Sequence, residues 1–232
     1  MAKKHLVVLT GAGISAESGL KTFRDSDGLW NGYDVYEVAS PRGWNKNPQL
    51  ILDFYNARRR DVAATQPNVA HLALAAMEKD FRVSIITQNI DDLHERAGST
   101  QVLHLHGEIF KMRSVADDQT TYEIRGDIQW GDLAEDGFQL RPFIVWFEEP
   151  VPKMEDAVQL MHDCDYFAVV GTSLQVYPAA SLLHYAPRYL PKYVIDKKLP
   201  ALPKMEDLTL IEKSATEGVS AFAEMLRKRE GL

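Results

Sequence analysis

With 232 residues, 45% of them hydrophobic, the chain can bury a sizeable core and is long enough for one domain, or for one domain carrying an inserted lobe. Its 26 Lys and Arg stand against 33 Asp and Glu, a net charge of −7. Nucleic acid and anionic membrane therefore meet no overall attraction, whereas a basic protein tail is an acceptable partner. The single cysteine, Cys164, excludes an internal disulfide and any site needing several thiolates. At the mouth of a strand-like run, Cys164 reads as a packing residue. No stretch approaches the ~18 consecutive apolar residues of a membrane span, and the apolar run after Met1 is too short for a secretory signal, so a cytoplasmic location is expected.

In chain order, strand-like runs recur at His5–Thr10, Arg82–Thr87, Gln101–Leu105, Phe143–Trp146, Tyr166–Val170, Tyr193–Ile195 and Leu208–Ile211. They are short and continuously apolar, as in strands buried on both faces. Between them, Val69, Leu72, Ala73, Ala76 and Met77 follow helical spacing. Near the end, Ser214 and Glu217 have capping-box spacing ahead of a stripe of Val219, Phe222, Ala223 and Leu226. The alternation predicts an α/β, doubly wound parallel sheet, Rossmann-like, within a single domain over 1–232. Two polar stretches interrupt it: residues 20–47, a candidate functional lid, and residues 108–141, a small inserted lobe.

Three loops fall at the carboxyl ends of predicted strands, where open α/β sheets bind ligands. Gly11-Ala12-Gly13 follows the first strand and precedes Ser15, the order of a strand, a tight turn and a helix start that can cradle a pyrophosphate. Such turns also occur without a ligand. Thr87-Gln88-Asn89-Ile90-Asp91 joins amide to carboxylate function, suited to ribose or an amide, although Asn89 and Asp91 are equally apt to cap a helix starting near Asp92. Gly171-Thr172-Ser173 adds hydroxyls at the same edge, or forms an ordinary turn. His104 and His106 alternate onto one face, and a histidine at a strand end can accept a proton near neutral pH. Metal binding by this pair lacks a third ligand. Tyr55 and Arg58, spaced i, i+3, can enter one pocket, where a guanidinium and a phenol suit a carboxylate. The plain reading of Arg58-Arg59-Arg60 is a solvated basic run.

Taken together, Gly11-Ala-Gly-Ile-Ser-Ala-Glu-Ser-Gly19, Thr22-Phe-Arg24, Thr87-Gln-Asn-Ile-Asp91, Leu105-His-Gly107, Val145-Trp-Phe147 and Gly171-Thr-Ser with Tyr177-Pro-Ala closely resemble the blocks of sirtuins, in order and spacing. Sirtuins are NAD-dependent protein lysine deacylases, and the bacterial members are the nearest in look. The resemblance implies that NAD binds Gly11, Ala12, Gly13, Ser15, Phe23, Arg24, Gln88, Asn89, Ile90, Asp91, Gly171, Thr172, Ser173 and Asp196. It makes His106 the catalytic base, taking a proton from a ribose hydroxyl, with Asn89 and Asp91 positioning ribose and carboxamide. Val145, Trp146, Phe147 and Val176 would pair with an extended substrate peptide. Tyr55 and Arg58 would receive the acid end of a succinyl or malonyl group, with acetyl also accepted. Acylated protein lysines are the implied substrates, and a monomer that binds neither nucleic acid nor membrane is expected.

Departures from the sirtuin pattern qualify this. The family's four zinc cysteines are missing; Ser114 stands where the first belongs, so no zinc is expected. Tyr122, Ile124, Ile128, Trp130, Leu133 and Phe138 are the candidates for a substitute apolar cluster. Glu148 stands where the family favours glycine, and Asp196 where an asparagine commonly meets the adenine ribose. Mono-ADP-ribosyl transfer, NAD hydrolysis and non-catalytic NAD sensing remain open alternatives.

Overall fold

The computed structural model describes residues 2–22, 30 and 32–232. Six parallel strands form the main sheet: β1 (His5–Thr10), β2 (Arg82–Thr87), β3 (Val102–His104), β7 (Tyr166–Val170), β8 (Lys192–Asp196) and β9 (Leu208–Glu212), in the order β3-β2-β1-β7-β8-β9. Between β3 and β7 in sequence, β4 (Gly107–Ser114), β5 (Thr121–Glu123) and β6 (Leu140–Ile144) build a separate antiparallel sheet in the order β5-β4-β6. The helices are α1 (Ala12–Ala16), α2 (Val35–Val38), α3 (Pro41–Lys46), α4 (Pro48–Ala64), α5 (Val69–Met77), α6 (Leu93–Arg96), α7 (Met154–His162), α8 (Leu182–Tyr185) and α9 (Ala215–Glu230).

Alternation along β1 shows why the sheet needs cover on both faces. Leu6 and Val8 turn to one side with Ile85, Ala168 and Ile195, against Leu74 and Met77 of α5 and Val219, Phe222 and Leu226 of α9. Val7 and Leu9 turn to the other with Phe167, Val169 and Val194, against Met161 of α7 and Leu182 of α8. All six residues of β1 are buried, which is what a continuously apolar run signals. Because β1 pairs with β2 on one side and β7 on the other, the strand order reverses there. A crevice opens between the carboxyl ends of β1 and β7 at such a switch point.

The doubly wound sheet follows the sequence reading, with two corrections. The apolar run at Phe143–Trp146 is no strand of the main sheet: residues 140–144 form β6, paired antiparallel with β4, and Trp146 lies beyond it. A short apolar run does not reveal which sheet it joins. On α5 the buried residues are Ala70, His71, Leu74 and Met77, while Val69 and Leu72 are exposed. That helix presents small residues all round, and a buried histidine holds a place that the apolar pattern gave away. The closing helix matches its predicted stripe and is capped by Ser214, whose Oγ accepts from Glu217 N at 3.4 Å.

The lobe also departs from expectation. Ile128 packs with Leu52 and Leu140, supported by Trp44, Met112, Tyr122 and Ile124, but Trp130, Leu133 and Phe138 are each more than half exposed. Hydrogen bonds from α4 supply the rest of the hold. Asn56 Nδ2 donates to Ile128 O at 2.9 Å and its Oδ1 accepts from Ile128 N at 3.0 Å. The almost fully buried Arg59 donates to Ile109 O at 2.8 Å, Asn56 Oδ1 at 2.8 Å and Gly126 O at 3.1 Å. Burial lowers the Arg59 pKa to about 10, still leaving it charged near neutrality.

Candidate active site

The turn after β1 and the turn after β7 interlock. A Cβ on Gly13 would sit 2.7 Å from Gly171 Cα, and one on Gly11 would sit 2.6 Å from Thr172 Cβ. Gly171 itself has φ +63°, a backbone region that favours glycine. The glycines thus let two loops approach each other, and Gly13 N donates to Gly171 O at 2.8 Å. Ile14 N is taken by Gly11 O. The turn therefore offers a phosphate fewer free amides than the order of strand, turn and helix suggests.

Below the turn lies a buried polar knot. Ser15 Oγ donates to Asp91 Oδ2 at 3.0 Å, and Asn89 Nδ2 donates to Ser15 Oγ at 3.1 Å and to Gly11 O at 3.2 Å. Asp91 Oδ1 accepts from Leu93 N at 3.2 Å, a turn bond one residue ahead of the N-cap of α6, which is Asp92 and has no side-chain cap. Burial raises the Asp91 pKa, opposed by the hydrogen bonds from Leu93 N and Ser15. Gln88 Nε2 reaches across to Thr172 Oγ1 at 3.2 Å, tying the β2 loop to the β7 loop.

His106 sits in the bend between β3 and β4. Its Nδ1 lies 3.0 Å from Gln88 O; a carbonyl only accepts, so Nδ1 carries the proton and Nε2 keeps a lone pair. Burial lowers the pKa of this ring, opposed by the bond to Gln88. The bend depends on Gly107, at φ +85°, where a Cβ would stand 2.1 Å from Phe143 O. His104 does not share the face of His106. Its Nδ1 meets Asn89 O at 3.0 Å and its Nε2 pairs with Glu95 at 2.8 Å, in a separate cavity. Burial opposes charge on His104, but the bond and charge of Glu95 prevail and its pKa is raised.

A cleft of about 460 Å³ gathers these parts. It holds Gly11, Ala12, Gly13 and Ser15 of the first loop, Gln88 to Asp91 of the second with His106, Gly171 to Ser173 of the third, and Asp196 at the end of β8. Tyr55 and Arg58 of α4, Val145 to Phe147, and Val176 line it as well. The expectations for Phe23 and Arg24 lie outside the described residues. Loops from β2, β1, β7 and β8 span three strand spacings, roughly 14 Å. With amides, hydroxyls and carboxylates along that length, the residues fit an extended dinucleotide better than a single ring.

Tyr55 is fully buried and Arg58 is 8% exposed. Arg58 Nη1 reaches Lys21 O at 3.4 Å, and its guanidinium lies 5.3 Å from the Trp30 ring. Burial pushes the Tyr55 hydroxyl pKa up, so it stays protonated as a donor. Of the basic run, only Arg60 is solvated, pairing with Asp127 at 2.6 Å.

On the peptide side the structure narrows the expectation. Val145 N donates to His106 O at 3.0 Å, Trp146 N to Glu149 Oε2 at 2.7 Å and Phe147 N to Ala39 O at 3.0 Å. The backbone of these residues can offer a peptide only carbonyl oxygens. Glu148 does adopt a left-handed conformation, φ 73°, clamped by Arg42 with Nη2 at 2.5 Å and Nε at 3.2 Å from its carboxylate.

Sequence reasoning missed three side chains that shape the cleft, Glu149 in its lining and Asn56 and Arg59 from behind. Glu149 accepts a fork from Arg141, at 2.7 and 3.2 Å, and holds the Trp146 amide. Asn56 and Arg59 anchor the lobe. Asn56 and Arg59 fall i, i+3 on α4 beside the buried Leu52, a spacing that could have marked them, whereas Glu149 sits in a bend beyond β6 with no local signal. A structural zinc does not fit the lobe: Ser114 Oγ is buried and accepts from Ala116 N at 3.0 Å. Among the described residues no three His, Cys, Asp or Glu side chains are arranged to hold a metal ion.

Comparison with known proteins agrees with this geometry. The profile of the Sir2 family matches residues 11–178. An "NAD-dependent protein deacylase" of Helicobacter pylori is 54% identical over 216 residues, 93% of this chain and 94% of that protein. One of the same name from Bacteroides thetaiotaomicron is 49% identical over 229 residues, 96% of this chain and 98% of that one. Among solved structures, a Sir2 homologue in complex with NAD superposes with TM-score 0.86 at 38% identity, covering 98% of this chain and 91% of that one. With its glycine turn, amide-acid loop and strand-end histidine at one switch point, and with these matches, the chain belongs to the Sir2 family.

Proposed function

We propose that this protein removes acyl groups from protein lysines at the expense of NAD, with nicotinamide and O-acyl-ADP-ribose as products. Acyl groups ending in a carboxylate, succinyl or malonyl, are the favoured substrates, and acetyl is accepted. The relatives named as deacylases support the reaction class. When bound, NAD would supply a ribose carbon to which the acyl oxygen bonds as the bond to nicotinamide breaks, with water later releasing the free lysine. His106 then acts as the base: its Nδ1 is held by Gln88 O, and Nε2 takes a proton from a hydroxyl in the cleft. Asn89, Ser15 and Asp91, already bonded to one another, orient the ribose and the carboxamide without having to reorganise. The remaining cleft residues of the three loops and Asp196 hold the rest of the dinucleotide.

Tyr55 and Arg58 receive the acyl tip, a phenol and a guanidinium directed at a carboxylate from a site with little water. Val145, Trp146, Phe147 and Val176 meet the peptide. In this reading residues 1–232 act as one catalytic domain, with 20–47 as the cofactor loop and 108–141 as the small lobe, working as a monomer in the cytoplasm.

The observation that carries the proposal is the His106 tautomer, with its free nitrogen in the same cleft as the Asn89, Ser15 and Asp91 knot. The test incubates protein and NAD with succinyl-, malonyl- and acetyl-lysine versions of one peptide. Acyl-ADP-ribose is the expected product; free ADP-ribose or labelled protein would replace this reading with NAD hydrolysis or ADP-ribosyl transfer. No loss of NAD would make the protein a binder.

A further inference from the structure

Two imidazoles lie behind the glycine turn and do not reach the cleft. His71 on α5 and His94 on α6 are both fully buried, with ring centroids 4.9 Å apart and planes inclined at 63°. One nitrogen of each is engaged. Asn68 N–H donates to His71 Nδ1 at 3.3 Å, so in a neutral ring the proton sits on Nε2. Thr10 Oγ1 gives its hydrogen to Thr87 Oγ1 at 2.9 Å and must accept from His94 Nε2, 3.0 Å away. His94 therefore also carries its proton on Nε2, leaving a lone pair on Nδ1. Burial keeps both rings neutral, lowering the His71 pKa to about 4 and that of His94 well below its ordinary value.

The atoms left over are His71 Nε2 and His94 Nδ1, buried and with no hydrogen-bond partner among the described residues. Contacts at opposite ends of the pair make one of them a donor and the other an acceptor. We propose that His71 Nε2–H donates to His94 Nδ1, directly or through one internal water, and that the two histidines are positioning residues that hold Asn89 in the cleft from behind.

The link completes a chain with a single direction. It runs from Asn68 N–H through His71 and His94 to Thr10 and Thr87 Oγ1, which also accepts from Asn89 N–H at 3.0 Å. At the far end Asn68 Nδ2 donates to Ile14 O at 2.8 Å and to Ser18 Oγ at 2.9 Å. The chain thus clasps α1 from one side while Asn89 Nδ2 grips Gly11 O and Ser15 Oγ from the other. In a dry interior an unmade donor and acceptor are costly, and a satisfied network fixes one geometry. Its effect on turnover rests on the function proposed above; its geometry does not.

Two substitutions remove only the link. His71→Asn keeps an oxygen to accept from Asn68 N but cannot reach His94. His94→Gln keeps a donor for Thr10 but loses the ring acceptor. Each is expected to weaken NAD binding by calorimetry about tenfold, and the double variant no further, because both break one contact. Effects that multiply to about a hundredfold, or no effect from either, overturn the proposal. On the unmodified protein without NAD or peptide, nitrogen-15 spectra of the imidazoles at pH 7 are expected to show both rings neutral with the proton on Nε2. A proton on Nδ1 of either ring, or an imidazolium, overturns it whatever the enzyme does.

Discussion

Replacing Arg58 by methionine separates a carboxylate pocket from a generic acyl slot. At 8% exposure the guanidinium has little water to exchange, so a succinyl carboxylate gains two charge-assisted hydrogen bonds there and gives up its own hydration. Bonds to a charged group are worth about 1.5–3 kcal/mol each, and the desolvation cost is set against them, leaving about 2–4 kcal/mol. At 1.4 kcal/mol per factor of ten, Arg58→Met should lower kcat/KM on a succinyl-lysine peptide by about 30- to 1000-fold. An acetyl group presents no carboxylate, and methionine fills a similar apolar volume, so acetyl removal should change by no more than about fivefold. The substitution also removes the contact with Lys21 O. That loss strikes both peptides alike and cancels when the two kcat/KM values are divided. The assay measures both acyl forms of one peptide at saturating NAD. A succinyl-to-acetyl ratio within threefold of the parent value would refute the pocket, whatever the absolute rates.

Other outcomes follow from groups around the cleft. His106→Ala should reduce deacylation by about 10²- to 10⁴-fold and leave NAD affinity, measured by calorimetry, within a few-fold; an equal loss of both would make the ring structural. Because burial lowers the His106 pKa, the active neutral form persists below pH 6.5 and kcat/KM should decline only under that value, so an acid limb centred above 7 contradicts the assignment. His71 is neutral when folded, with a pKa of about 4 against 6.5 unfolded. The unfolded chain thus binds the extra proton, and stability that is complete above pH 6.5 is lost as pH falls towards 4, by about 3 kcal/mol. Urea unfolding across that window tests this, and an unchanged midpoint refutes it. Asn56→Ala strands Ile128 N and O, and should cost about 2–3 kcal/mol in the same assay; a loss under 0.5 kcal/mol would show that the lobe does not depend on that clamp.

The sheet and its three loops were readable because β1, β2, β7 and β8 are buried on both faces, and continuous apolar runs ending in glycine or amide residues carry that information locally. The small sheet was not. Its central strand β4 breaks alternation, with Ile109 and Phe110 adjacent and Lys111, Met112 and Arg113 after them, and its pairing with β6 spans some thirty residues of sequence that no local pattern records. The face of α5 was misread for a related reason. His71 is buried with one nitrogen capping the helix start and its ring packed on that of His94, and hydrophobic periodicity assigns no value to such contacts. Likewise the Val145 to Phe147 amides fit a peptide-pairing strand by type, but the partners that occupy them come from Ala39, His106 and Glu149.

The run Arg58-Arg59-Arg60 shows why identical neighbours on a helix need not share a role. Successive residues are turned by about 100°, so three arginines on α4 meet three environments: the cleft, the underside of the lobe, and solvent. The i, i+3 pair Tyr55 and Arg58 faces the cleft, and one residue further on the pair Asn56 and Arg59 faces the lobe. The rotation of α4 that aims Arg58 is therefore the same rotation that seats Asn56 on Ile128 and Arg59 on Gly126. Where a zinc would hold a lobe by its own ligands, here the lobe is fastened to the helix that bears the two residues proposed to select the acyl group. A displacement of the lobe against the sheet must then be felt at the Tyr55 and Arg58 end of the cleft through α4, as well as at the backbone of His106 through Gly107 at the start of β4, while the His106 ring stays tied to Gln88 on the sheet edge. Lobe variants such as Asn56→Ala should for that reason alter the ratio of succinyl to acetyl turnover, and not the overall rate alone; an unchanged ratio would show that α4 does not carry the lobe's position to Arg58.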